Sequence, residues 1–173
     1  VCIPEVRVGD PAFNAAQTSA LAREAAERHA LVALFPELGL SAYTCEDLFQ
    51  QQALLDATRA ALAQVAADTR DLETVLVVGA PLVVEELLYN CAVFLQRGRV
   101  LGVIPKTYLP NYREFYELRQ FTPGRVARTG TIALVGEPVP FGTDLLFRCS
   151  SQPLLVLHAE ICEDLWTPIP PSS

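Results

Sequence analysis

Short apolar runs of strand length alternate along this chain with longer stretches in which apolar and polar positions mix at helical spacing, a pattern that predicts an α/β fold. Asp10-Pro11 reads as a helix entry, with the carboxylate at the cap and proline in the first turn; the alanine-rich stretch to His29 supplies that helix. Leu31 to Phe35 follows as a short buried strand, interrupted by Pro36. Thr44 and Asp47 resemble a capping box for a second helix running to about Thr69, with Leu48, Leu55, Leu62 and Val65 near one face. Val75 to Val78 is a second apolar strand, ended by Gly79-Ala80-Pro81. Tyr89 to Leu95 and Val100 to Ile104 flank Arg97-Gly98-Arg99, which reads as a hairpin turn around glycine. A segment rich in tyrosine, proline and charge then runs from Pro105 to Thr122-Pro123-Gly124. Leu154 to Leu157 is the last strong apolar run, and Pro168, Pro170 and Pro171 forbid a regular helix beyond it. With no repeat, low-complexity stretch or linker, residues 1–173 read as a single domain.

Composition narrows the function classes. Half of the residues are apolar, yet no run approaches the roughly 18 consecutive apolar residues of a membrane span, so a soluble protein without a membrane partner is expected. The N-terminus has neither a basic region nor a cleavage site, and the chain contains no methionine; it is expected to be part of something longer. A net charge of −7 without a basic block excludes the phosphate-neutralising stripe of a nucleic-acid binder. The five cysteines are scattered with no C-x-x-C pair, which predicts reduced thiols and a cytoplasmic location. His29 and His158 are far apart and lack ligand spacing, so no metal site is expected. Neither a G-x-G-x-x-G nor a P-loop is present, so this segment is not expected to bind a nucleotide cofactor.

Glu37, Lys106 and Cys162 each follow an apolar run, where α/β folds present side chains to ligands. A carboxylate, an ammonium and a thiol form a plausible amide-cleaving set. Glu37 would take the thiol proton of Cys162, while Lys106 and the backbone N–H after Cys162 would stabilise the oxyanion. Taken singly, each has a plainer reading as a turn glutamate, a surface lysine and a small buried hydrophobe. The last of these is kept for Cys2, Cys45, Cys91 and Cys149. Tyr43, Tyr108, Tyr112 and Tyr116 either line a pocket or pack, and Trp166 reads as a core gap-filler. Glu163-Asp164 either binds an ammonium group or begins a helix.

Phe35-Pro36-Glu37-Leu38-Gly39-Leu40-Ser41-Ala42-Tyr43 resembles the glutamate motif of the nitrilase (carbon–nitrogen hydrolase) superfamily. Pro105 to Pro110 resembles its lysine motif and Glu160 to Trp166 its cysteine motif, in the family's order. Pro110 to Glu117, Phe121 to Gly124 and the opening Pro4 to Pro11 are similar to the glutaminase domains of bacterial glutamine-dependent NAD synthetases. The resemblance implies a nitrilase-like αββα sandwich, here ending shortly after the nucleophile strand, and a thioester route from glutamine to glutamate and ammonia. It further implies a partner synthetase domain using ATP and magnesium, absent from this chain, and assembly as a homo-oligomer. By motif position Glu37 is the base, Lys106 the oxyanion partner and Cys162 the nucleophile. Glu117 matches a second, positioning glutamate, with Glu114 the alternative. Tyr112 matches a glutamine contact, Glu163 would meet the substrate's amino group, and Trp166 and Tyr43 would wall the pocket. Two other functions remain open from sequence: a stand-alone amidase, or a non-catalytic piece that acts through assembly.

Overall fold

Residues 1–173 are all described by the computed structural model of the chain. Helix α1 covers Pro11–Glu27, and Asp10 caps it by accepting a hydrogen bond from Phe13 N at 3.1 Å. Strand β1 is Val32–Leu34 and helix α2 is Gln52–Asp68. Strands β2 (Val75–Val84), β3 (Leu87–Gln96) and β4 (Arg99–Pro105) follow. They form one four-stranded sheet in the order β1-β2-β3-β4, parallel between β1 and β2 and antiparallel elsewhere.

The helices cover one face of this sheet. Leu76, Val78, Ala80, Leu82 and Val84 of β2 alternate onto Ala61, Leu62, Val65 and Ala66 of α2 and Ala15 and Ala22 of α1. Val77, Ala92, Phe94 and Ile104 point the other way, against Phe147, Leu157 and Ile161. Burial on both faces explains why these strands are nearly continuous apolar runs rather than alternating ones. Burying each large side chain, such as Leu62, contributes roughly 2 kcal/mol. Two small hairpins complete the chain: β5 (Thr131–Leu134) with β6 (Glu137–Pro140), and β7 (Phe147–Arg148) with β8 (Val156–Leu157).

Four local expectations change. The hairpin at Arg97-Gly98 forms, with φ of 51° and 75° at its two central residues, but β2 does not stop at Gly79. Pro81 is tolerated because β1 pairs only with residues 75–77, and Asn90 opposite Pro81 turns its carbonyl to the N–H of Lys106, just beyond β4. The missing N–H therefore faces an open edge. Thr44 does not cap a helix: a 3₁₀ turn at Glu46–Gln50 intervenes, and α2 starts after Gln51 with no side-chain cap. That turn sends Phe49 rather than Leu48 inward, onto Phe121. Finally, the run at 154–157 shrinks to β8, with Leu154 fully exposed. The outer edge of β4 is already taken at Val103 by Phe141 and Gly142, so the run has no place in the main sheet.

The chain after β1 rides directly over β2. Leu40 N donates to Gly79 O at 3.1 Å, and a Cβ at position 79 would lie 2.4 Å from Leu38 N and from Pro36 O. Only glycine lets the turn carrying Glu37 approach this closely. Gly79→Ala is therefore expected to lower the unfolding free energy by about 3 kcal/mol, measured by urea denaturation. A stability change near zero would show that the turn has room to retreat.

Candidate active site

Three segments distant in sequence converge where β1 and β4 end. Glu37 sits in the turn after β1, followed by Leu38 at φ 53°. Lys106 follows the last residue of β4, and its backbone N–H donates to Asn90 O at 2.8 Å, so sheet pairing continues through it. Glu117 opens a 3₁₀ turn and is fixed by its N–H donating to Pro110 O.

The Lys106 side chain has no solvent-exposed surface. Its ammonium donates to Glu37 Oε1 at 2.7 Å and to Glu117 Oε1 and Oε2 at 2.8 and 2.9 Å, three contacts for three hydrogens. Glu117 Oε1 also accepts from Tyr43 Oη at 2.7 Å. Burial pulls the lysine pKa down, but the two carboxylates outweigh it and leave the ammonium above its ordinary value. Burial raises Glu117, with the bonds from Lys106 and Tyr43 offsetting only part of the effect. Burial, followed by the bond to Glu117, raises the Tyr43 phenol, which stays a donor.

Cys162 lies at the start of a 3₁₀ turn, Cys162–Trp166, with φ 49°. Holding a non-glycine residue in this region costs about 1 kcal/mol, offset here by Asp164. Asp164 is 1% exposed and accepts from Thr107 N at 3.1 Å, Tyr108 N at 2.7 Å and Ile161 N at 3.2 Å. One carboxylate thus ties the lysine segment to the cysteine segment. Burial raises its pKa against the pull of those N–H groups. Cys162 is exposed, and it lines a cleft of about 210 Å³ together with Glu37, Asn90 and Ile161. Its thiol is pushed above its ordinary value by partial burial, then by the Glu37 charge, with Lys106 pulling the other way. A resting thiol that stays protonated needs a base at the moment of attack.

The structure brings Glu37, Lys106, Glu117 and Tyr43 into one hydrogen-bonded cluster with Cys162 beside it. Glu117 takes the bonds from Lys106, whereas Glu114 accepts none from it and lines a neighbouring pocket that Glu117 and Tyr43 also line. Tyr112 Oη donates to Glu163 Oε2 at 2.9 Å, joining two of the expected substrate contacts. Trp166 is 74% exposed and outside the cleft, because the 3₁₀ turn buries Asp164 and leaves Leu165 and Trp166 facing outward. It neither fills a core gap nor walls this cleft. Asn90 was not singled out from sequence. A polar residue inside the apolar run Tyr89-Asn90-Cys91-Ala92-Val93 was the available signal, since buried amides need a purpose. No cluster of three or more His, Cys, Asp or Glu side chains is placed to hold a metal ion, and no helix is long and apolar enough to cross a membrane.

An exposed thiol beside a base-bearing Glu–Lys–Glu cluster, at the strand ends of an α/β layer, is the equipment of a cysteine-dependent hydrolase of carbon–nitrogen bonds. The carbon-nitrogen hydrolase family model matches residues 3–169, and the chain belongs to that family. It is 52% identical over 172 residues to the glutamine-dependent NAD(+) synthetase of Mycobacterium tuberculosis (strain ATCC 25618 / H37Rv), covering 99% of this chain and 25% of that protein. The crystal structure of a glutamine-dependent NAD(+) synthetase from Cytophaga hutchinsonii superposes with a TM-score of 0.77 at 26% identity, covering 86% of this chain and 25% of that one. A mutant amidase from Nesterenkonia sp. AN1, with acrylamide added at its active site cysteine, gives a TM-score of 0.58 at 25% identity, covering 76% and 51%. The chain thus spans about a quarter of the length of the curated relatives it matches.

Glu37→Gln keeps the shape of the base but not its charge. The lost charge no longer holds the thiol up, but the lost proton acceptor is expected to outweigh this and slow iodoacetamide alkylation of Cys162 by at least about tenfold at neutral pH, while leaving Cys149 unchanged as an internal reference. Peptide-resolved mass spectrometry measures both rates, and equal slowing of the two would contradict a Glu37-specific role.

Proposed function

We propose that this domain hydrolyses the side-chain amide of glutamine to glutamate and ammonia through a thioester on Cys162. The ammonia then serves a synthetase domain of the same protein, which uses ATP and magnesium to complete NAD. The observation that carries this reading is the Lys106 cluster beside Cys162, in a chain 52% identical along nearly its whole length to a glutamine-dependent NAD(+) synthetase.

Glu37 takes the proton from Cys162 Sγ as sulfur attacks the carboxamide carbon, and the carbonyl π electrons move onto oxygen. All three hydrogens of Lys106 are engaged by carboxylates, so Lys106 stabilises that oxyanion mainly through its field. The backbone N–H of Glu163 supplies the hydrogen bond. The C–N bond then breaks, and the departing nitrogen leaves as ammonia with the proton held by Glu37. A water molecule, deprotonated by Glu37, cleaves the thioester to glutamate and returns Cys162 as the thiol. Glu117, held by Tyr43, keeps Lys106 in place throughout.

The Tyr112–Glu163 pair suits glutamine over a simple amide, because Glu163 offers a carboxylate to the substrate's α-ammonium group. A small aliphatic amide has no ammonium group for it to meet. Wild-type protein is expected to release ammonia from glutamine, and Cys162→Ala to lose at least about 99% of the rate, monitored by a coupled glutamate dehydrogenase assay. Release from small aliphatic amides but not from glutamine would replace this reading with the amidase one.

A further inference from the structure

Both fixed donors to Glu37 reach the same oxygen. Asn90 Nδ2 donates to Oε1 at 2.6 Å and Lys106 Nζ to Oε1 at 2.7 Å, while Oε2 accepts no hydrogen bond from the chain. Glu37 and Asn90 line the same cleft as Cys162. The amide of Asn90 must present its nitrogen to the carboxylate, because its oxygen there would repel it. Its own Oδ1 is left buried without a partner, in a side chain 1% exposed. An amide half-satisfied inside an apolar strand is a poor choice for stability, since an apolar residue of similar volume would leave no orphaned oxygen.

We propose that Asn90 is a positioning residue for the reaction: by occupying Oε1 it turns Oε2 of Glu37 towards Cys162 as the proton acceptor. The same residue accepts from the Lys106 backbone N–H at 2.8 Å, so one strand position holds the base by its side chain and the lysine by its carbonyl. Other charged groups near Glu37 are Lys106 and, across it, Glu117, together with Glu160 in the same cleft; Cys162, Cys91 and the Tyr43 phenol are the remaining titratable groups around it. None of them donates a hydrogen bond to Oε2. The proposal rests on Glu37 being the base for Cys162, and its test does not depend on glutamine being the substrate.

The experiment measures Cys162 alkylation by iodoacetamide against pH in the full chain, for wild type, Asn90→Leu and Asn90→Asp, with melting temperatures recorded alongside. Loss of a donor to the charged carboxylate is expected to move the low-pH limb of the alkylation profile upward by about one pH unit in Asn90→Leu. Asn90→Asp should move it further, because a like charge is added beside Glu37. Asn90→Leu should melt no lower than wild type by more than a few degrees, as the orphaned oxygen is removed. With glutamine, kcat should fall at least about tenfold with KM nearly unchanged. An unmoved limb in both folded variants would overturn the proposal. So would a collapse of the melting temperature in Asn90→Leu with Asn90→Asp folded and unshifted, which marks a purely structural residue. A shifted limb in a protein that releases no ammonia from glutamine would uphold Asn90 and sink only the glutaminase reading.

Discussion

An ammonium group without any contact with water is tolerated in a protein interior only if anions meet it there. Lys106 is such a group, and the rest of the site follows from satisfying it. Its two anions come from positions 69 residues before and 11 residues after it, so the turn behind β1 and the loop behind β4 must both close over one point. The β3–β4 pairing fixes the lysine backbone, Gly79 lets the Glu37 turn settle onto β2, and Tyr43 completes the shell of Glu117. Removing one partner would leave an uncompensated buried charge, which costs about 3 to 5 kcal/mol, so the cluster either assembles whole or barely at all.

The same electrostatics suit covalent catalysis. Two carboxylates around one lysine leave negative charge in excess near the cleft, and the Cys162 thiol is accordingly held above its ordinary value after the effect of burial. The thiol is thus held in its protonated form, with the Glu37 carboxylate in the same cleft. The strained backbone at Cys162 and the Asp164 tie fix where sulfur sits relative to the Lys106 loop, so positioning is built into the fold before any substrate arrives.

The α/β class, the first helix with its Asp10 cap and the Arg97-Gly98 hairpin were legible because each carries a local signal in residue type. The hairpin joining β2 to β3 was not. Its turn residues Glu85 and Glu86 both adopt left-handed φ, 49° and 66°, without the glycine or asparagine that usually announces such a turn. Pro81 misled in the opposite direction, since only the open edge of β2 makes it acceptable within a strand. In the site, Glu37 and Lys106 were visible as polar residues at strand ends. The run before Cys162 exposes Leu154 and Val156 and forms only the two-residue β8, so the place of Cys162 owes more to Asp164 than to a strand. The roles of Asp164 and Asn90 were hidden for a common reason: an acid after the cysteine and an amide in an apolar run mark the positions, but the ties each makes to segments far apart in sequence leave no trace in local spacing. Trp166 illustrates the converse, a large apolar residue that sequence assigns to a core or a pocket and a short 3₁₀ turn leaves facing outward.

The central claim is that the buried cluster serves covalent chemistry at one sulfur. The most direct measurement is intact-protein and peptide mass spectrometry on the protein acid-quenched during turnover of glutamine. The account predicts a glutamyl adduct on the peptide containing Cys162, released by hydroxylamine as a thioester should be. Sustained ammonia release with no adduct at Cys162, or with an adduct on another residue, would contradict it.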